Sequence, residues 1–157
     1  MKKIINPIFS FILLFFIYGC AGYEPIFNSK NLQFEITNYS IKGDETLGSR
    51  IYSKLYSLSK SRKDEQNLRS IDLVINVKKA KKATNKDSAG KILEYEITLN
   101  TDVKVEDFIT KDVILNQTFI SSLSYKVQST YSDTINLENT SIENLINKTY
   151  QELVIRL

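Results

Sequence analysis

Residues 93 to 105 read LEYEITLNTDVKV, in which Leu93, Tyr95, Ile97, Leu99, Thr101, Val103 and Val105 alternate with Glu94, Glu96, Thr98, Asn100, Asp102 and Lys104. A period of two sustained over this length, without Gly or Pro, specifies a β-strand with one face buried and the other wet. The rest of the chain must supply neighbours for that strand and a cover for its apolar face.

The flanking sequence carries further periodicities of both kinds. Leu32, Phe34 and Ile36 alternate with polar residues and predict a first strand, after which Gly43 and Asp44 punctuate the chain. From Glu45 to Lys60 the residues Leu47, Ile51, Leu55 and Leu58 recur at three or four positions, the stripe of an amphipathic helix, with Asp44 as its cap. Period two returns in Ile71, Leu73, Ile75 and Val77, and Lys78 to Lys91 reads as a polar connection, with a turn at the SAGKI stretch. After the long strand, a polar turn around Thr110 to Asp112 leads into a weaker alternation from Leu115 to Val127. Ile142, Leu145, Ile146, Thr149, Tyr150, Leu153 and Leu157 mark a second amphipathic helix, for which Ser132 or Thr140 is the candidate cap. The predicted fold is α+β in the order β-α-β-β-β-α, with two helices on one face of a four-stranded, mainly antiparallel sheet. Short connections make the last three strands antiparallel neighbours.

The N-terminus has a different character. Lys2 and Lys3 precede a run from Ile8 to Ile17 that is apolar except for Ser10, the layout of a secretory signal and too short for a spanning helix of roughly 20 residues. The run ends at IYGC, with Gly19 directly before Cys20 and Ile17 three positions before it. This resembles the lipobox of bacterial lipoproteins, which implies that Cys20 becomes the acylated mature N-terminus; a simple secretory signal that leaves a free thiol is the alternative. Two or more acyl chains, at about 0.8 kcal/mol per buried methylene, make attachment effectively permanent. Ala21 stands where an Asp would be the familiar sign of inner-membrane retention, so the outer membrane is the expected location. Residues 1 to 19 are thus read as the signal, 20 to 31 as a lipidated tether with Gly22 and Pro25, and 32 to 157 as a single domain.

Composition narrows the chemistry. The chain has a formal charge of +3, two lysines of which leave with the signal, so bulk charge makes no case for nucleic acid. Histidine is absent and Cys20 is the only thiol, which removes Ser/His/Asp and Cys/His nucleophilic sites, most transition-metal sites and any internal disulfide. Neither a metal nor a cofactor is expected. Carboxylates remain for acid and base work: Asp44 with Glu45, Glu106 with Asp107, and Glu94 with Glu96, of which the last pair shares a strand face. A carboxylate-dependent hydrolase built on Glu94 or Glu96 is one reading; a solvated strand face is the other, favoured by the apolar character of the opposite face.

The lipobox followed by GYEPIF, the strand and helix, the long hairpin IDLVINVKKAKKATNKDSAGKILEYEITLNTDVKVED, the strand ending SYKV and the C-terminal amphipathic helix together resemble the LptE family of lipopolysaccharide assembly lipoproteins, in its shorter alphaproteobacterial form. The resemblance spans nearly the whole mature chain in order and spacing. It implies a non-enzymatic outer-membrane lipoprotein that plugs and assembles with the LptD barrel and helps deliver lipopolysaccharide. The rival of another class is an auxiliary lipoprotein of a periplasmic lipid ABC transporter, whose partner would be an inner-membrane complex.

Lys78, Lys79, Lys81 and Lys82 cluster where the second strand runs out, and an antiparallel meander brings Lys126 to the same edge. As point charges, these lysines suit the phosphates and carboxylates of a lipid A headgroup, and the family resemblance supports Lys81 and Lys82 in that role. The alternative is a solvated loop. On the binding reading, changing Lys78, Lys79, Lys81 and Lys82 together to Ser weakens lipopolysaccharide binding and leaves thermal stability intact.

Overall fold

The computed structural model describes residues 34–60 and 68–157. The signal, the tether, Cys20 and Leu32 lie outside the described residues. Six elements follow in chain order: β1 (Phe34–Gly43), α1 (Glu45–Lys60), β2 (Arg69–Lys86), β3 (Ile92–Asp107), β4 (Val113–Lys126) and α2 (Tyr131–Arg156). The architecture is α+β, in the predicted order. The sheet runs β1-β2-β3-β4, with antiparallel pairing among the last three strands and parallel pairing between β1 and β2. Parallel neighbours need a crossover, and α1 supplies it.

The core forms on one side of the sheet because the alternating strands present their odd-numbered residues there. Ile71, Leu73, Ile75 and Val77 of β2 join Ile97, Leu99, Val103 and Val105 of β3 and Phe119 of β4. Ile51 and Leu55 of α1 and Leu145, Ile146 and Leu153 of α2 close over them, all fully buried. Each such side chain stabilises the fold by about 2 kcal/mol relative to exposure.

β1 contains an irregularity that its sequence does not announce. Phe34 and Ile36 are buried, but the register with β2 shifts between Ile36 and Asn38, so that Tyr39 and Ile41 come level with Leu73 and Ile75. A one-residue bulge at Thr37 thus moves the core-facing parity from even to odd. Beyond it, Tyr39 stacks on Tyr52 of α1 with ring centroids 4.0 Å apart.

The helix starts are fixed by side-chain capping. Asp44 Oδ1 accepts the Leu47 amide at 3.1 Å, as the sequence predicts. Gly43 before it has φ +76°, and an added Cβ would lie 2.1 Å from the Val77 carbonyl oxygen. Only glycine fits there. The start of α2 differs from expectation: its cap is Thr130, in extended conformation, rather than Ser132 or Thr140. Thr130 Oγ1 accepts the Asp133 amide at 3.1 Å and donates to the Asp133 carboxylate at 2.7 Å.

The largest departure lies in the lysine-rich stretch. β2 does not end at Val77 but continues to Lys86, paired in unbroken register with β3 from Lys78 opposite Asn100 to Ala83 opposite Tyr95, and then through two register shifts to Lys86 opposite Ile92. Pairing is carried by main-chain groups that every residue here possesses, so a strand neighbour as long as β3 extends the ladder through side chains of any polarity. The connection is only the turn around Asp87 to Lys91, where Asp87 Oδ1 accepts the amides of Ala89 and Lys91 and Gly90 takes φ +82°.

Candidate functional site

β1 ends opposite Val77, so among the described residues the outer side of β2 from Lys78 to Lys86 is a sheet edge. Lysines on such an edge oppose strand addition by another chain, a structural role they fill whatever else they bind. Register then divides the predicted cluster. Lys78 and Lys82 lie opposite Asn100 and Glu96, and Lys126 lies opposite Glu94, which puts these three lysines on the face without helices. Lys79 and Lys81, opposite Leu99 and Ile97, lie on the helix side. The lysines that sequence proximity groups together thus form two sets, on opposite faces of one strand.

The open-face set is mixed in sign. Lys82 pairs with Glu96 at 2.8 Å and its side chain remains 70% exposed, while Lys126 flanks Glu94 across the ladder. Glu94 and Glu96, the carboxylates considered for acid and base work, therefore stand among lysines on the uncovered sheet face. Among the described residues, no group of three or more His, Cys, Asp or Glu side chains is placed to hold a metal ion, and no helix is long and apolar enough to cross a membrane.

The helix-side set is built into the structure. Lys81 Nζ lies 2.5 Å from Glu138 Oε2 on α2, and the Tyr125 hydroxyl donates to the same oxygen at 2.8 Å. Lys81 Nζ also sits 4.3 Å from the centroid of the Tyr95 ring, which stacks with Tyr125 at 5.9 Å. Partial desolvation disfavours the Lys81 charge, but hydrogen bonds to Glu138 and Tyr125 outweigh it and hold the ammonium protonated well above its ordinary range. Desolvation likewise works against the Glu138 charge, yet the Lys81 ammonium and the Tyr125 hydroxyl keep that carboxyl below its usual value. Desolvation by burial, ahead of the neighbouring charges, pushes the Tyr125 phenol up.

Beside this network a pocket of about 420 Å³ opens under the first turns of α2, lined by Lys81, Lys91, Tyr95, Gln128, Tyr131 and Glu138 among others. Its lining carries the ammonium of Lys91, the Lys81–Glu138 ion pair, the Gln128 amide and the side chains of Tyr95 and Tyr131, a mix of polar and apolar groups. Glu138, Tyr95 and Tyr125 were not singled out from sequence. The available signal was periodicity: Glu138 lies one helical turn before Ile142 on the stripe that α2 buries, and the two tyrosines share strand parity with Ile97 and Phe119.

No protein-family model and no curated protein sequence matches the chain. Solved structures do. The rare lipoprotein B of Shewanella oneidensis superposes with a TM-score of 0.55 at 10% identity, over 76% of this chain and 91% of its own. The minor lipoprotein of Acinetobacter baumannii gives 0.55 at 15% identity, over 80% and 91%, and an uncharacterized lipoprotein B from Nitrosomonas europaea gives 0.55 at 14%, over 78% and 81%. At these identities the likeness is one of fold.

Proposed function

We propose that the protein is an outer-membrane lipoprotein of the LptE type, anchored through acylated Cys20, that partners and plugs an LptD-like barrel and takes part in lipopolysaccharide assembly without catalysing a reaction. The observation that carries this reading is the coincidence of a lipobox with a fold shared by three bacterial lipoproteins over four-fifths or more of their own length. Outer-membrane placement rests on Ala21 after the cysteine. The open sheet face, polar and uncovered by helices, is the surface that suits a protein partner.

Direct contact with lipopolysaccharide falls to Lys78, Lys82 and Lys126 on that face, with Lys91 at the helix-side pocket and Lys79 on the same side of the sheet. Lys81 contributes by holding the pocket wall, because its charge is already engaged by Glu138.

Purification of the tagged, acylated protein from native membranes in mild detergent, followed by mass spectrometry of stoichiometric partners, tests the reading. A large outer-membrane barrel is the expected partner. An inner-membrane transporter would transfer the protein to the auxiliary class, and no partner at all would overturn the plug role.

A further inference from the structure

At the end of the sheet opposite the lysines, the turn between β3 and β4 exposes apolar side chains: Ile109 is 81% exposed, Val113 54% and Phe108 36%. Its backbone donors are satisfied from within the domain. Asp107 N donates to the Asp112 carbonyl, Phe108 N to the Ser70 carbonyl and Lys111 N to the Asp107 carbonyl, at 2.9 to 3.0 Å. The amides of Ile109 and Thr110 both donate to Asp107 Oδ1 at 2.9 Å, and the Asp112 amide reaches Thr110 Oγ1 at 3.3 Å. Six consecutive N–H groups thus have partners. Two ion pairs flank it: Arg69 with Asp107 and Lys111 with Asp72, each at 2.7 Å. Thr110 Oγ1 donates to the Asp112 carboxylate at 2.8 Å.

A loop with its donors satisfied, several of its charges paired and its apolar side chains turned outward meets the condition for entering a medium that offers no hydrogen bonds. The chain's own topology brings such a medium close. β1 begins at Phe34, opposite Arg69, and Phe108 binds Ser70 next to it, so the turn lies at the end of the sheet where the N-terminal segment enters. Cys20 is fourteen positions before Phe34, a reach of at most about 50 Å. We propose that the β3–β4 turn, led by Ile109 and flanked by Phe108 and Val113, seats in the interface of the bilayer that holds the acylated Cys20. The sheet is then oriented with its lysine-bearing end away from that surface. This inference rests on the lipidation reading above.

The experiment uses the acylated full-length mature protein in vesicles of phosphatidylethanolamine and phosphatidylglycerol. An environment-sensitive fluorophore is attached at Ile109→Cys or, as a control at the opposite turn, at Ala89→Cys; acylation leaves Cys20 unreactive. The expected result is blue-shifted emission at 109 and several-fold stronger quenching by nitroxide-bearing lipids than at 89. Equal, water-like emission at both positions overturns the proposal. The intact mass reports acylation separately: if Cys20 is a free thiol, the lipidation reading fails on its own. The same comparison, with Cys20→Ser added and the protein mixed with vesicles, then decides insertion, with quenching at 109 upholding it and water-like emission overturning it.

Discussion

Lys81 on β2 and Glu138 on α2 form an ion pair across the basic end of the sheet, and the Tyr125 hydroxyl donates to the same carboxylate oxygen. It adds a polar tie between the extended hairpin and the long helix, whose apolar side chains already pack over β3. The Lys81 side chain is 34% exposed and that of Glu138 15%, so the pair sits between a surface and a buried bridge. A double-mutant cycle with Lys81→Met and Glu138→Gln should give a coupling of about 1 kcal/mol, discounted for solvent screening. The sign with pH follows from both shifts. Glu138 is lowered, so its contribution is present above about 4.5 and fades as the pH falls through its folded value; Lys81 is raised, so its contribution is complete below about 10.5. Chemical denaturation at pH 7 and pH 3 measures the coupling, which should shrink at the lower pH. Replacing Lys78, Lys79, Lys81 and Lys82 together should therefore lower stability, where the sequence alone predicts no change. The triple change of Lys78, Lys82 and Lys126 to Ser keeps the Lys81–Glu138 contact and tests lipopolysaccharide binding without that cost.

Asp107 organises the β3–β4 turn. Its carboxylate accepts the Thr110 amide, the Arg69 guanidinium and the Ile109 amide, which bring its pKa down to about 2. A depressed folded-state value means stability that is present above about 4, the unfolded value, and is lost as the pH falls from there towards 2. Asp107→Asn should lower the melting temperature at pH 7 and flatten its decline over that acid interval. Melting curves from pH 7 to pH 2 check both effects, and an unchanged acid limb would remove Asp107 as its source.

Gly48 in α1 packs against β1, and an added Cβ would stand 2.4 Å from Ile41 Cγ2. Alanine is the better helix former by about 1 kcal/mol, but overpacking a tight contact costs about 1 to 3 kcal/mol. The contact should win, with Gly48→Ala destabilising the native protein. In an Ile41→Ala background, where Cγ2 is gone, the same change should become neutral or stabilising. Urea denaturation of the four proteins gives the answer.

Thr149 of α2 is fully buried, and its Oγ1 has no hydrogen-bond partner among the described residues. Valine keeps the shape and removes the unsatisfied hydroxyl, so Thr149→Val should stabilise the protein by about 1 kcal/mol. A loss of stability in equilibrium unfolding would mean that the hydroxyl is satisfied after all.

The six elements, their order and, β1 beyond Ile36 apart, their apolar faces are legible in the chain, because side-chain periodicities of two and of three to four are local records of which face meets a core. The run from Leu93 to Val105 was legible in full for that reason, and so was the Asp44 cap. Only the folded chain decided the exact register, how far the pairing extends and where parity changes. The bulge at Thr37 depends on the register of β1 against β2. The extension of β2 through Lys86 depends on main-chain hydrogen bonds to β3, to which a lysine contributes as well as a valine. Lys78 and Lys82 were separated from Lys79 and Lys81 by the alternation of a strand where the composition suggested a loop. Glu138 became the partner of Lys81 only because α2 folds back over β3 and β4, and a contact between residues 57 positions apart leaves no local trace in the sequence.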